Sequence, residues 1–498
     1  MKLLDLEQRR EEAKQYLSNE QYVKAVALYG RLARVCPNEA EIWFGYGCAA
    51  AGAKQLDLAA ELWCKARALL SGDSEFLLEI GHAHQTLRQT ELARACFLEA
   101  AATNPRGIDP RISVAALLER SHNYQEARVW VEECLAIDPR DEQALYLSAL
   151  LDRRENKIEH AESRLRDLIA SEPKHPYVVY ACRYELAQIL DRTGRFDEAM
   201  LALSEAKRLV RSVINPDLIL NDAAVWLQQL RDAARNFPKC ILRRWSKRFP
   251  EQERLAVPSL ALLAGHPRSG TTLLEQILGA HPKVADFDET PVFGEVLLPE
   301  YGRSRRFSAG RLNALRSLYI QTLQKESKGR DLKGKILLDK NPWMTAHLPT
   351  CLRVFPEMRV IIALRDPRDV VISVYFLNSI PNALSLEEVA RNYANLMEIW
   401  LAIRRWEGFA WLESRYEDTV ADLKREGQRV MKFLDMEWQE EQAQFYERSS
   451  KKEIVSPPYN QVTQPVYARS VNRWRSYEKH IAPILPLLEP FCHAFGYS

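Results

Sequence analysis

The chain has 498 residues, with 69 Lys+Arg against 67 Asp+Glu and a formal net charge of +2. That length predicts two or more domains, each able to bury its own core. So small a net charge excludes a global field drawing the chain to nucleic acid or a membrane surface, and affinity for anions has to come from a local site. The N-terminal MKLLDLEQRREEAK lacks the apolar core of a secretory signal. The longest apolar runs fall well short of the roughly 18 residues of a bilayer-spanning helix. Nine scattered cysteines with no C-x-x-C pair predict small apolar side chains in a reducing compartment, with no metal site. The expected location is cytoplasmic.

The first elements repeat. The segments EQYVKAVALY, KQLDLAAELW, RQTELARACF, HNYQEARVWV, NKIEHAESRL and GRFDEAMLAL align on Ala25, Ala59, Ala93, Ala127, Ala161 and Ala199. The intervals are 34, 34, 34, 34 and 38 residues, and Pro37, Pro105, Pro139 and Pro173 keep the same beat, with Ser71 at the missing position. A small residue lets two antiparallel helices approach, and a proline ends the second helix of each pair. This period and chemistry resemble the tetratricopeptide repeat. The resemblance implies an α-solenoid of about six repeats over residues 1–211, with a concave surface able to hold a peptide or protein partner. An assembly arm, or a homo-oligomer through either domain, stays open at this point.

Residues 212–257 lose the period and read as a helical cap or linker, with helix-like stretches LILNDAAVWLQQLRDAARNF and KCILRRWSKRF. From 258 to 498 short apolar runs (SLALLA, VADF, KILL, RVIIAL, FAWLESR) alternate with amphipathic stretches. The latter predict helices at Thr271–Ala280, Ala309–Gln324, Met344–Val354, Val370–Phe376, Leu386–Arg405 and Val420–Leu434. Such alternation predicts a three-layer α/β domain on a parallel sheet.

The first strand feeds AGHPRSGTTLLEQIL, in which Gly265-x4-Gly270-Thr271-Thr272 has the frame of a phosphate-cradling P-loop. Thr271 stands where an ATPase has lysine, and the nearest cation is Arg268. Backbone amides at the helix start, with Ser269, Thr271, Thr272 and the planar fork of Arg268, suit an anionic group. A second anion site is suggested by RVIIALRDPRDVVISVYF, where Arg365 ends a strand and Ser373 follows eight residues on.

The blocks PRSGTTLLEQIL, HPKV, DET, LLDKNP and RDPRDVVISVY, from about Leu260 to Trp474, resemble the sulfotransferases that use 3′-phosphoadenosine 5′-phosphosulfate, above all the tyrosylprotein type. The resemblance implies that Arg268, Ser269, Gly270, Thr271 and Thr272 hold the 5′-phosphosulfate and that Arg365 and Ser373 grip the 3′-phosphate. It implies adenosine 3′,5′-bisphosphate as product and no metal. Glu289 falls at the general base, with Asp288 as a second candidate. Lys340 falls at the lysine that stabilises the departing phosphate, Tyr416 at a donor-binding tyrosine, and Arg473 at a donor-loop cation. The chain departs from the family at Tyr467, where Asn is usual, and at Pro457-Pro458-Tyr459, where a serine is expected and the nearest is Ser456. The acceptor is a peptide tyrosine by the nearest resemblance, with a glycan, a lipid or a small phenol left open. Two rival classes remain: a P-loop kinase or NTPase using Asp339 in ILLD as its metal-binding aspartate, and a repeat adaptor with a vestigial domain. For Asp286, Asp288 and Glu289 a solvated acidic turn is the alternative.

Overall fold

The computed structural model of the chain describes residues 3–70, 72–87, 89–213, 216–248, 257–290, 292, 296, 308–327, 329–378, 384–449, 464, 466 and 468–498. Ser71, Ser456, Pro457-Pro458-Tyr459 and Tyr467 lie outside them. The chain divides into two compact units, Met1–Ile189 and Leu190–Ser498.

The first unit is helical among its described residues, opening with Leu3–Ser18 and Tyr22–Val35 and running on in pairs. Each aligned alanine of this unit, from Ala25 to Ala161, is fully buried. The bulky residue four positions on, such as Trp63 after Ala59 and Phe97 after Ala93, lies on the same helix face and is also buried. A Cβ at Gly47 would stand 2.3 Å from Trp63 Nε1, and one at Gly81 would stand 2.3 Å from Phe97 Cε1. Those glycines are 34 residues apart, so the period carries helix contacts too tight for any side chain.

The second unit starts within the helix Pro176–Arg192 and takes in the helix Phe196–Val213, where Ala199 is again fully buried. The stretch between the repeats and the sheet forms the helices Pro216–Asn236 and Ile241–Arg248. The sheet has five strands: β1 (Leu260–Gly265), β2 (Val284–Asp288), β3 (Ile336–Lys340), β4 (Arg359–Leu364) and β5 (Ala410–Arg415). Their order is β2-β3-β1-β4-β5, and every pairing is parallel. All six residues of β1 are buried, which explains its unbroken apolar run. On one face Leu263, Leu338 and Ile361 pack against Leu274 and Leu278 of the helix Thr271–Gly279 and Val430 and Met431 of the helix Leu423–Phe433. The alternate residues Leu262, Val360 and Ile362 are equally buried, so both faces are covered.

Two expected helices are broken. Met344–Val354 consists of a 3₁₀ turn, Pro342–His347, and a helix, Leu348–Val354, because Pro349 cannot donate into a continuing helix. Val420–Leu434 is split at Asp422, whose side chain caps Leu423–Phe433 by accepting from the Arg425 amide. Among the described residues no helix is long and apolar enough to cross a membrane.

Candidate active site

In the sheet, the connection after β1 runs toward β2 and that after β4 runs toward β5, so these neighbouring strands send the chain in opposite directions from their C-terminal ends. That is the point where open α/β sheets bind ligands. Register aligns Leu263 with Lys340 and Lys340 with Asp288, which brings the ends of β1, β2 and β3 level. The end of β1 is fixed by Thr345: the Gly265 amide donates to its hydroxyl at 2.8 Å, and that hydroxyl donates to the Gly265 carbonyl at 2.7 Å. A Cβ on Gly265 would lie 2.4 Å from the Ala363 carbonyl oxygen, so the two strands meet there without room for a side chain.

The loop that follows is held in an uncommon conformation. Arg268 has φ +74° and Gly270 φ +88°, and a non-glycine residue in the left-handed region costs about 1–3 kcal/mol unless its surroundings hold it there. Here they do. The Arg268 carbonyl accepts from Arg365 Nη1 at 3.2 Å, and Arg268 Nε donates to Ser373 Oγ at 3.0 Å. Ser269 and Thr271 are buried. Gly270 is the N-cap of Thr271–Gly279 and supplies no capping side chain, so that helix end keeps backbone donors for another partner. Tyr416 packs on Gly270: an added Cβ would meet its Cδ2 at 2.7 Å. The Tyr416 ring lies 5.0 Å beneath the Arg365 guanidinium, and burial raises the Tyr416 pKa against the opposing charge of Arg365.

Arg365 is itself buried. Its Nη2 donates to the Ser470 carbonyl at 2.6 Å, and its Nε has no hydrogen-bond partner among the described residues. A buried donor left in this way suits a site built to receive acceptor oxygens. Arg268, Arg365, Ser373 and Tyr416 thus form one group at the ends of β1 and β4.

A second group gathers at the ends of β2 and β3. Lys340 is fully buried, with Nζ 2.5 Å from Asp288, 3.1 Å from Glu289 and 3.8 Å from Glu275. Burial alone would lower its pKa, but Glu275, Asp288 and Glu289 outweigh that and raise it, so the lysine is charged. Glu289 has φ +47°, and its amide donates to the Lys340 carbonyl at 2.8 Å. Its side chain is 31% exposed against 7% for Asp288 and 0% for Glu275, which makes Glu289 the carboxylate that reaches solvent.

These acids do not form a solvated turn. Asp286 is buried on β2 and takes two bonds from Arg448, at 2.6 and 3.2 Å, with Arg330 at 3.5 Å. Asp339 faces away from Lys340 along β3, as strand alternation requires. It accepts from the Tyr319 hydroxyl and, at 3.5 Å, from Thr290. Burial raises its pKa to about 6 against those hydrogen bonds. Its carboxylate is thus engaged by the protein's own hydroxyls. Arg473 is the site residue that stands apart: its guanidinium pairs with Asp191 at 3.0 Å and lies over Phe376. Glu275, Thr345 and Ser470 belong to the site and carry no sequence signal, since nothing local marks a glutamate in an amphipathic helix or a backbone carbonyl as a partner of distant strands.

Residues 261–440 match the model described as the sulfotransferase family, and residues 10–72 and 146–212 match the tetratricopeptide repeat model. The chain joins tetratricopeptide repeats to a sulfotransferase-family domain. It is 25% identical over 293 residues to Protein-tyrosine sulfotransferase 2 of Gallus gallus, covering 51% of this chain and 74% of that protein. It is 24% identical over 329 residues to an uncharacterized protein of Aquifex aeolicus (strain VF5), covering 61% of this chain but only 41% of that longer protein. Among solved structures, the sulfotransferase domain from the Synechococcus PCC 7002 olefin synthase aligns with 49% of this chain and 97% of its own length, at 19% identity and a TM-score of 0.36.

Proposed function

We propose that the chain transfers a sulfuryl group from 3′-phosphoadenosine 5′-phosphosulfate to an acceptor hydroxyl, with tyrosine in a protein or peptide as acceptor. The observation that carries the reading is that two groups share the C-terminal end of the sheet: a cationic one (Arg268, Arg365) beside the β1 loop, and a lysine–carboxylate one (Lys340, Glu289). The buried Nε of Arg365 and the left-handed turn at Arg268 and Gly270 fit an anionic nucleotide. In this reading Arg365 and Ser373 take the 3′-phosphate, and the amides and hydroxyls of Ser269–Thr272 take the 5′-phosphosulfate.

Glu289 receives the acceptor's proton as its oxygen bonds to sulfur. Lys340 and the β1 loop stabilise the charge left on the 5′-phosphate when the bridging oxygen–sulfur bond breaks, so that adenosine 3′,5′-bisphosphate departs. A tyrosine phenol has a pKa of about 10, so a carboxylate base works by proton transfer concerted with attack. The rest of the catalysis is positioning and preorganised charge. Against a kinase, Thr271 replaces the P-loop lysine and Asp339 is held by Tyr319 and Thr290. Similarity to the Gallus gallus enzyme supports the tyrosine acceptor, and the repeats suit the holding of an extended acceptor chain.

Incubating the full chain with ³⁵S-labelled donor and a panel of tyrosine peptides, glycans and small phenols tests the reading. Label on peptide tyrosine is expected. Label on glycans or phenols alone overturns the acceptor, and no label on any acceptor overturns the activity.

A further inference from the structure

We infer that Asp191 is a positioning residue for the nucleotide site, acting through Arg473 and Tyr477; this rests on the donor reading above. Asp191 lies near the end of the helix Pro176–Arg192, far in sequence from every block that resembles a sulfotransferase. Arg473 reaches it through Nε at 3.2 Å and Nη2 at 3.0 Å, and the Tyr477 hydroxyl donates to it at 2.5 Å. The Asp191 side chain is 13% exposed, so these bonds sit in a largely desolvated place, where charge-assisted pairs are strong. Neighbouring contacts fasten the same stretch. Phe196 packs edge-on to Tyr477 at 5.3 Å, and Asp197 holds Lys479 at 2.5 Å and His480 at 2.8 Å.

The other side of this short stretch faces the nucleotide group. The Ser470 carbonyl accepts from Arg365 Nη2, and the Trp474 amide donates to Asp369 at 2.7 Å. Asp369 in turn lies 4.0 Å from Arg365 and is fully buried. Between them Asn472 has φ +57°, a conformation that persists where neighbours fix it. Residues 470–474 therefore hang between Asp191 on one side and Arg365 with Asp369 on the other. Arg365 owes part of its aim to a carbonyl whose place depends on Asp191. Arg473, which the sequence places against the donor, is on this view a strut from the end of the repeats to the turn that orients Arg365.

Lys207 makes a parallel connection. It is buried on the helix Phe196–Val213, with Nζ donating to the Leu377 carbonyl at 3.2 Å and lying over the Tyr375 ring at 4.9 Å. Those residues lie at and just past the end of the helix Pro367–Tyr375, which carries Asp369 and Ser373. Burial lowers the Lys207 pKa to about 7, so it is through the N–H donated to the Leu377 carbonyl that the lysine braces the helix that presents Ser373 to Arg268.

The test is calorimetric binding of adenosine 3′,5′-bisphosphate and adenosine 5′-monophosphate to the full chain and to folded D191N, Y477F, R473M and D191N/R473M, with thermal melts alongside. Because Arg365 is assigned to the 3′-phosphate, D191N is expected to weaken the bisphosphate about tenfold, within the usual range by which one site changes affinity at another, while the monophosphate changes little. The preference between the two nucleotides therefore falls, which a general loss of stability would not produce. Y477F, which removes one hydroxyl and keeps the carboxylate, is expected to show the same sign and carries the test if D191N does not fold. The double variant is expected to lose no more than the larger single loss, as coupled residues do. Folded D191N and Y477F that keep the wild-type preference overturn the inference alone. A wild-type chain that ignores the bisphosphate overturns the donor reading and the inference with it.

Discussion

At Lys340 three carboxylates surround one ammonium with no solvent access, and only Glu289 among them extends toward water. That asymmetry fits the proposed roles: the three carboxylates keep the lysine charged, and Glu289 is the one placed to meet an acceptor hydroxyl. E289Q and K340M are each expected to lower turnover by about 10²–10³-fold, the usual cost of one positioned group, while calorimetric nucleotide affinity stays within a few-fold of wild type. Full turnover in E289Q would assign the base elsewhere. Asp339 gives a prediction of a different kind. Its pKa is raised to about 6 by burial, so the protonated form favours the fold. That stabilisation is complete below the ordinary carboxylate pKa and is lost as pH rises through about 6. D339N, which removes the ionisation, is expected to raise the melting temperature at pH 8 and to have much less effect at pH 4. An equal effect at both would show that its charge does not oppose folding.

Among the elements, the strand–loop–helix at β1 is the tightest. G265A would push a Cβ to 2.4 Å from the Ala363 carbonyl oxygen; backbone cannot yield as a side chain can, so a loss of about 1–3 kcal/mol or more is expected in denaturant unfolding. G270A would instead meet the Tyr416 ring at 2.7 Å and is expected to cost less stability but to weaken nucleotide binding. In the repeats, A127L fills a fully buried contact and should lower stability of the array by a similar ~1–3 kcal/mol. Elements of this kind were legible in the sequence because their signals are local. The β4 expectation, Arg359–Leu364, coincides with the strand, and the alanine phase marks buried helix contacts. Helix interruptions at Pro349 and Asp422 were missed because amphipathic spacing continues through both. Motif residues at strand ends, such as Arg268 and Arg365, could be found because chemistry and position coincide there. Glu275 and Asp191 could not, since their meaning comes only from Lys340 and Arg473, 65 and 282 residues away.

On the scale of the whole chain, the helix Phe196–Val213 carries the last aligned alanine, Ala199, yet belongs to the compact unit that contains the sheet. Asp191 engages Arg473 and Tyr477, next to the turn that holds Arg365, and Lys207 braces the end of the helix that carries Ser373. The last repeat is therefore structural support for the transferase domain as well as the end of an array. The central claim is that the Arg268 loop and Arg365 together receive a nucleotide phosphorylated at both the 3′ and 5′ positions. Calorimetry on the full chain tests it most directly, comparing adenosine 3′,5′-bisphosphate without metal against ATP with Mg²⁺. The account expects saturable binding of the bisphosphate, weakened by R365A, and little affinity for ATP–Mg²⁺; tight binding of ATP–Mg²⁺ with none of the bisphosphate would contradict it.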